Sequence, residues 1–102
     1  MEFECLDIEN TVGFEWDDGN ISKNEKKHHL KWQLIEEVFF NAPLLILEDP
    51  KHSDTECRCF ALGKTDDDSK LFIVFTKRVD KIRVISARPM NKKERLAYEN
   101  YS

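Results

Sequence analysis

The run ECRCFALGKTDDDSKLFIVFTKRVDKIRVISA, residues 56–87, decides the architecture. Arg58, Phe60 and Leu62 alternate with Cys57, Cys59 and Ala61, and Ile82, Val84 and Ser86 alternate with Arg83, Ile85 and Ala87. Such a period of two is what a half-buried strand requires, because successive side chains leave opposite faces. The apolar block from Leu71 to Thr76 lies between these two segments, and the acidic stretch Lys64 to Ser69 supplies a turn. Three strands with short connections predict an antiparallel meander. Upstream, Leu44 to Glu48 is a further short apolar strand ending at Asp49-Pro50, so about four antiparallel strands are expected.

Working outward, Trp32 to Phe40 changes period. Its apolar residues stand at 32, 34, 35, 38, 39 and 40, close to the stripe of an amphipathic helix, and Asn41-Ala42-Pro43 stops it. A more polar helix is expected from Ile21 to Leu30, capped by Asp17, Asp18 or Asn20. Beyond Pro89, Asn91-Lys92-Lys93-Glu94 has the form of a capping box, which predicts a helix from Lys92 to about Tyr101. Leu96 and either Tyr98 or Tyr101 should face the sheet there, with Lys92, Lys93 and Arg95 toward water. Residues 1–13 have no clear period and are expected as an arm or a short strand near Phe3 to Leu6. The expectation is one α+β domain over residues 14–102, with two N-terminal helices and one C-terminal helix.

The bulk numbers fit that picture. A chain of 102 residues has room for one core, and 40% hydrophobic with 11% aromatic residues is too apolar for a disordered chain. The longest apolar runs fall far short of the roughly 20 residues that cross a bilayer. Met1-Glu2-Phe3-Glu4-Cys5 has neither the basic nor the apolar region of a signal peptide, so a cytoplasmic location is expected. Three cysteines, an odd number, then predict reduced thiols. Cys57 and Cys59, spaced C-x-C on a strand, fit small core residues better than a zinc site, and no metal or other cofactor is expected. The net charge of −4 conceals a polarity: residues 1–76 carry 8 Lys/Arg against 17 Asp/Glu, whereas residues 77–102 carry 8 against 3. A cationic quarter of this kind suits a polyanion, because affinity for phosphate backbones follows local clusters rather than the total.

No Gly-rich phosphate loop, H-E-x-x-H, G-x-S-x-G or EF-hand loop occurs. Metal-free RNA cleavage needs other things: activation of a ribose 2′-hydroxyl, stabilisation of charge on the phosphorane, and protonation of the departing 5′-oxygen. Arg58, Arg83 and Arg88 come from neighbouring strand segments, and alternation allows at least two of them onto one face. Guanidinium groups hold phosphate bidentately and keep their charge. The competing expectation is that each arginine is paired with Glu48, Asp49, Glu56 or Asp80. His28 and His29 are adjacent on the expected first helix, about 100° apart, and so are poorly placed to chelate one ion.

Several motifs in order are similar to one family. They are Phe14-Glu15-Trp16-Asp17, Asn24-x-x-Lys27-His28, Asp49-Pro50-x-His52-Ser53, Glu56-x-Arg58, Leu62-Gly63, Val74-Phe75-Thr76-x-Arg78, Ile82-Arg83-x-Ile85-Ser86-Ala87-Arg88 and Glu94-Arg95-x-x-Tyr98. Together they resemble the BrnT toxins of bacterial type II toxin–antitoxin modules over residues 14–98. The resemblance implies a RelE-like fold, ribonuclease activity that arrests translation, and neutralisation by a BrnA-type antitoxin with a ribbon-helix-helix domain. Operator DNA would then be contacted only through that antitoxin, with a dimer inside a heterotetramer as the implied assembly. Carried over by position, it points to His28 as proton carrier, Arg58 and Arg88 as phosphate and transition-state groups, and Lys27, Arg78, Arg83, Lys92 and Lys93 as RNA contacts. His29 stands where the family usually has glycine. A non-catalytic interaction module of the same fold is the alternative.

Overall fold

The structure, a computed structural model, describes residues 13–16, 19, 30–48, 58–78 and 81–101. Five strands form one sheet: β1 (Gly13–Glu15), β2 (Leu45–Glu48), β3 (Arg58–Lys64), β4 (Lys70–Arg78) and β5 (Lys81–Pro89), in the order β1-β5-β4-β3-β2. The expected meander of β3, β4 and β5 is present, and β2 joins it antiparallel to β3. What the alternation missed is β1, which pairs parallel with β5 through Gly13 to Glu15 and makes the sheet mixed. Three residues are too few to show a period, so β1 exists because the open edge of β5 accepts it.

Two helices, rather than the expected three, stand among the described residues: α1 (Trp32–Val38) and α2 (Lys92–Tyr101). The helix expected over 21–30, except Leu30, and the arm expected over 1–13, except Gly13, lie outside them, as do Lys27 and His28. α1 ends at Val38, two residues before the expected Phe40, and Phe39 and Phe40 close it as a turn. The stop coincides with Pro43, whose peptide bond to Ala42 is cis. At α2 the capping box is complete: the Glu94 amide donates to Asn91 Oδ1 at 2.8 Å and the Asn91 amide donates to Glu94 Oε1 at 2.9 Å.

α1 covers one sheet face. Ile35 and Val38 meet Ala61, Ile73, Phe75 and Val84 there, all of them fully or almost fully buried. Gly63 is required by this contact, since a Cβ at that position would lie 2.6 Å from Val38 Cγ1. α2 lies on the opposite face and covers one end of it, where Tyr98 packs with Leu62 and Met90 and donates to the Pro43 carbonyl at 2.6 Å. Leu96, expected to face the sheet, is 53% exposed; of the α2 candidates Tyr98 is the one that does so. Cys59 is a buried core residue as expected, but its thiol is not free. It is disulfide-bonded, where reduced thiols were expected.

Candidate functional site

Strict alternation along β5 would place Arg83 and Arg88 on opposite faces, because five residues separate them. The ladder prevents this. Val74 pairs with Ser86 and Phe75 with Val84, which leaves Ile85 as an extra residue, a β-bulge. Past the bulge the faces exchange: Ala87 turns into the core beside Val84, and Ser86 and Arg88 join Arg83 on the face that α2 only partly covers. The expected grouping of Ser86 with Ile82 and Val84 is therefore corrected by one inserted residue.

The pairing register arranges that face in rows. Arg58, Thr76 and Arg83 are direct neighbours across β3, β4 and β5, and Glu15 on β1 extends the row. Two interstrand spacings separate the arginine Cα atoms, about 10 Å, so both side chains can lean over Thr76 toward one small anion. Thr76 is fully buried between their half-buried stems. Leu47, Phe60, Val74 and Ser86 form the next row. Leu45, Leu62, Phe72 and Arg88 form the third, roughly 13 Å from the first along the strands.

The arginines differ in their partners. Arg83 Nη1 pairs with Glu15 Oε1 at 3.2 Å, between side chains 25% and 40% exposed. Arg88 is held at several points. Its Nη1 and Nη2 donate to the two carboxylate oxygens of Glu94 at 2.8 and 2.7 Å, Nη1 also donates to the Pro89 carbonyl, and the guanidinium lies 4.4 Å from the Phe72 ring centre. The Arg88 guanidinium, and after it the Asn91 amide, hold the Glu94 carboxyl below the usual carboxylate range against the opposing effect of burial. Glu94 in turn raises Arg88 above the ordinary arginine value. Among the described residues the carboxylates seen on these arginines are Glu15 and Glu94; of the expected competitors, Asp49, Glu56 and Asp80 lie outside the described residues. Glu94 is legible in the sequence only as a helix cap, and Glu15 only once β1 is known to pair with β5.

Of the other expected RNA contacts, Arg78 ends β4 opposite Lys81. Lys92 and Lys93 are exposed on the first turn of α2, beside the Arg88–Glu94 pair in sequence and in space. Lys92 and Lys93 thus continue on α2 the cations that Arg58, Arg83 and Arg88 place on the sheet face.

A family described as ribonuclease toxin, BrnT, of type II toxin–antitoxin systems matches residues 16–94, most of the chain. The chain belongs to the BrnT family. It is accordingly a ribonuclease toxin of a type II module, with an antitoxin as its partner, and the matched span takes in every strand from β2 to β5 and the start of α2. No individually curated protein matches it. No helix among the described residues is long and apolar enough to cross a membrane.

Proposed function

We propose that the partly covered sheet face is where this BrnT chain holds and cleaves RNA, without a metal ion, so that translation stops. The observation that carries the reading is the bulge at Ile85, which brings Arg83 and Arg88 onto the face that Arg58 already occupies. Arg58 and Arg83 flank a scissile phosphate over Thr76 and oppose the charge that grows on the phosphorane. Arg88 serves a phosphate about two extended nucleotide steps along the strand after exchanging Glu94 for it, an exchange of one bidentate oxyanion for another. Lys92, Lys93, Arg78 and Lys27 contribute backbone contacts, and His28 carries the proton. The roles of Lys27 and His28 rest on the resemblance alone.

The partner in this reading is a BrnA-type ribbon-helix-helix antitoxin that covers the cationic face and carries any contact with operator DNA. The toxin would work in the cytoplasm, and a toxin dimer within a heterotetramer would be the inhibited form. Steering between an acidic antitoxin segment and the basic face would make association fast at low salt.

Induction with and without the antitoxin, followed by growth and transcript integrity, tests the proposal. Wild type is expected to arrest growth and cut transcripts. An Arg58→Ala, Arg88→Ala double variant should do neither while still binding antitoxin, which reports on its fold. Equal harmlessness of wild type and double variant, both still binding antitoxin, would show a non-catalytic interaction module instead. Cleavage that disappears in EDTA and returns with added divalent metal would exclude the metal-free route.

A further inference from the structure

We propose that the half-buried ring of Phe60, in the open middle row of this face, is a stacking platform for the nucleobase adjoining the phosphate held by Arg58 and Arg83. The proposal rests on the RNA-cleavage reading and adds to it the group that positions the substrate's base.

Three observations carry it. First, α2 stops short of the middle row: its apolar cluster takes in Leu62, Met90 and Tyr98 with Leu45 and Phe72, whereas Leu47 is 46% exposed and Phe60, Val74 and Ser86 are all half-buried. An aromatic ring on an apolar floor is thus left partly open to solvent between two cationic rows. Second, Phe60 is braced. Its ring centre lies 5.2 Å from that of Phe72 at an interplanar angle of 35°, and Phe72 is itself capped by the Arg88 guanidinium at 4.4 Å. A ring fixed in this way loses little rotamer freedom when a base lands on it. Third, Phe60 is two residues from Arg58 on the same side of β3, about 7 Å along the strand. That separation suits one extended nucleotide step, with the phosphate at the arginine row and its base on the ring.

Half-buried aromatics interleaved with arginines on a sheet face suit single-stranded RNA in particular. The cations track the backbone while the ring accepts whichever base is splayed out. A protein segment could use the same apolar strip only where its acidic side chains happened to meet both arginine rows, whereas RNA carries a phosphate at every step beside each base, so the charge of the face favours RNA.

The test uses the full chain and a short single-stranded oligoribonucleotide, 2′-O-methylated so that it stays intact, with 2-aminopurine placed at one position at a time. Wild type and Phe60→Trp should quench the fluorophore at one position, and Phe60→Leu should restore its emission. Phe60→Leu should bind about 5- to 150-fold more weakly, the range that base–aromatic stacking spans. An abasic site at the quenched position should cost wild type the same factor and Phe60→Leu nothing further. Equal affinity of wild type and Phe60→Leu, an abasic penalty that persists in Phe60→Leu, or loss of quenching in Phe60→Trp would overturn the platform while leaving the phosphate grip intact. Wild type that binds no oligonucleotide at all would overturn the RNA reading itself. Should Phe60→Leu fail to fold, the Phe60→Trp and abasic arms still decide.

Discussion

Glu94→Gln should move stability and RNA affinity in opposite directions. Glutamine at this position can still accept from the Asn91 amide, so the cap survives and the ion pair alone is removed. The pair is bidentate, but the Arg88 side chain is 37% exposed and that of Glu94 18%, so solvent screens it. We expect a loss of about 0.5–1 kcal/mol, the upper half of the range for accessible pairs. For a chain of this size that lowers the melting temperature by about 2–8 °C. The pH dependence gives the sign check. Because the folded-state carboxyl is lowered, its stabilisation is fully present above the unfolded value of about 4.3 and is lost as pH falls through the lower folded value. Wild-type and variant melting temperatures should therefore differ at pH 7 and converge in acid. On RNA the released Arg88 becomes free to take a phosphate, so affinity should rise and the slope of log K against log salt should steepen by about 0.7, one further contact to a single strand. Paired melting curves from pH 7 to pH 3 and a salt titration of oligonucleotide binding measure both. A melting difference that stays constant with pH would refute the ion-pair account. Unchanged affinity and slope would refute Arg88 as a phosphate group and leave it a purely structural residue.

Arg58→Gln should reduce the salt slope of RNA binding by about 0.7 and weaken all sequences alike, since a phosphate contact carries no base information; fluorescence anisotropy at several salt concentrations reads this. Gly63→Ala should destabilise by about 1–3 kcal/mol, because its Cβ would press on Val38 of α1 and the core there is closed; chemical denaturation measures it, and an unchanged midpoint would show that α1 yields. Tyr98→Phe should cost about 1 kcal/mol by leaving the Pro43 carbonyl unpaired at a buried contact, again read by denaturation. Deleting Ile85 should be tolerated, since Val84 and Ser86 would then stand as neighbours opposite Phe75 and Val74 in a regular ladder that keeps Ala87 inward and Arg88 on the open face; a melting transition near that of wild type is expected, and loss of the cooperative transition would refute Ile85 as the extra residue.

Much of the fold was legible from periodicity. The segments around Cys59, Ile73 and Val84, the core helix ending before Pro43, and the Asn91–Glu94 capping box each announce themselves through a local rule that neighbouring residues satisfy together. The cationic C-terminal quarter and the family motifs are likewise local, and they were enough to point to a ribonuclease toxin, in agreement with the family match. What alternation could not supply was register. Gly13–Glu15 is too short to carry a period, and its pairing with β5, which delivers Glu15 to Arg83, is visible only in three dimensions.

The same holds for the site. Sequence alone determined that Arg58, Arg83 and Arg88 sit on strands of one sheet; it could not determine that they share a face, because strict alternation separates Arg83 from Arg88. Tertiary structure decided this by inserting Ile85 as an unpaired residue, and it brought Glu15 to Arg83 from 68 residues away and turned the capping Glu94 back onto Arg88. Side-chain direction along a strand is a local property, whereas ladder pairing and ion pairing are set by which chain segments the folded core brings side by side.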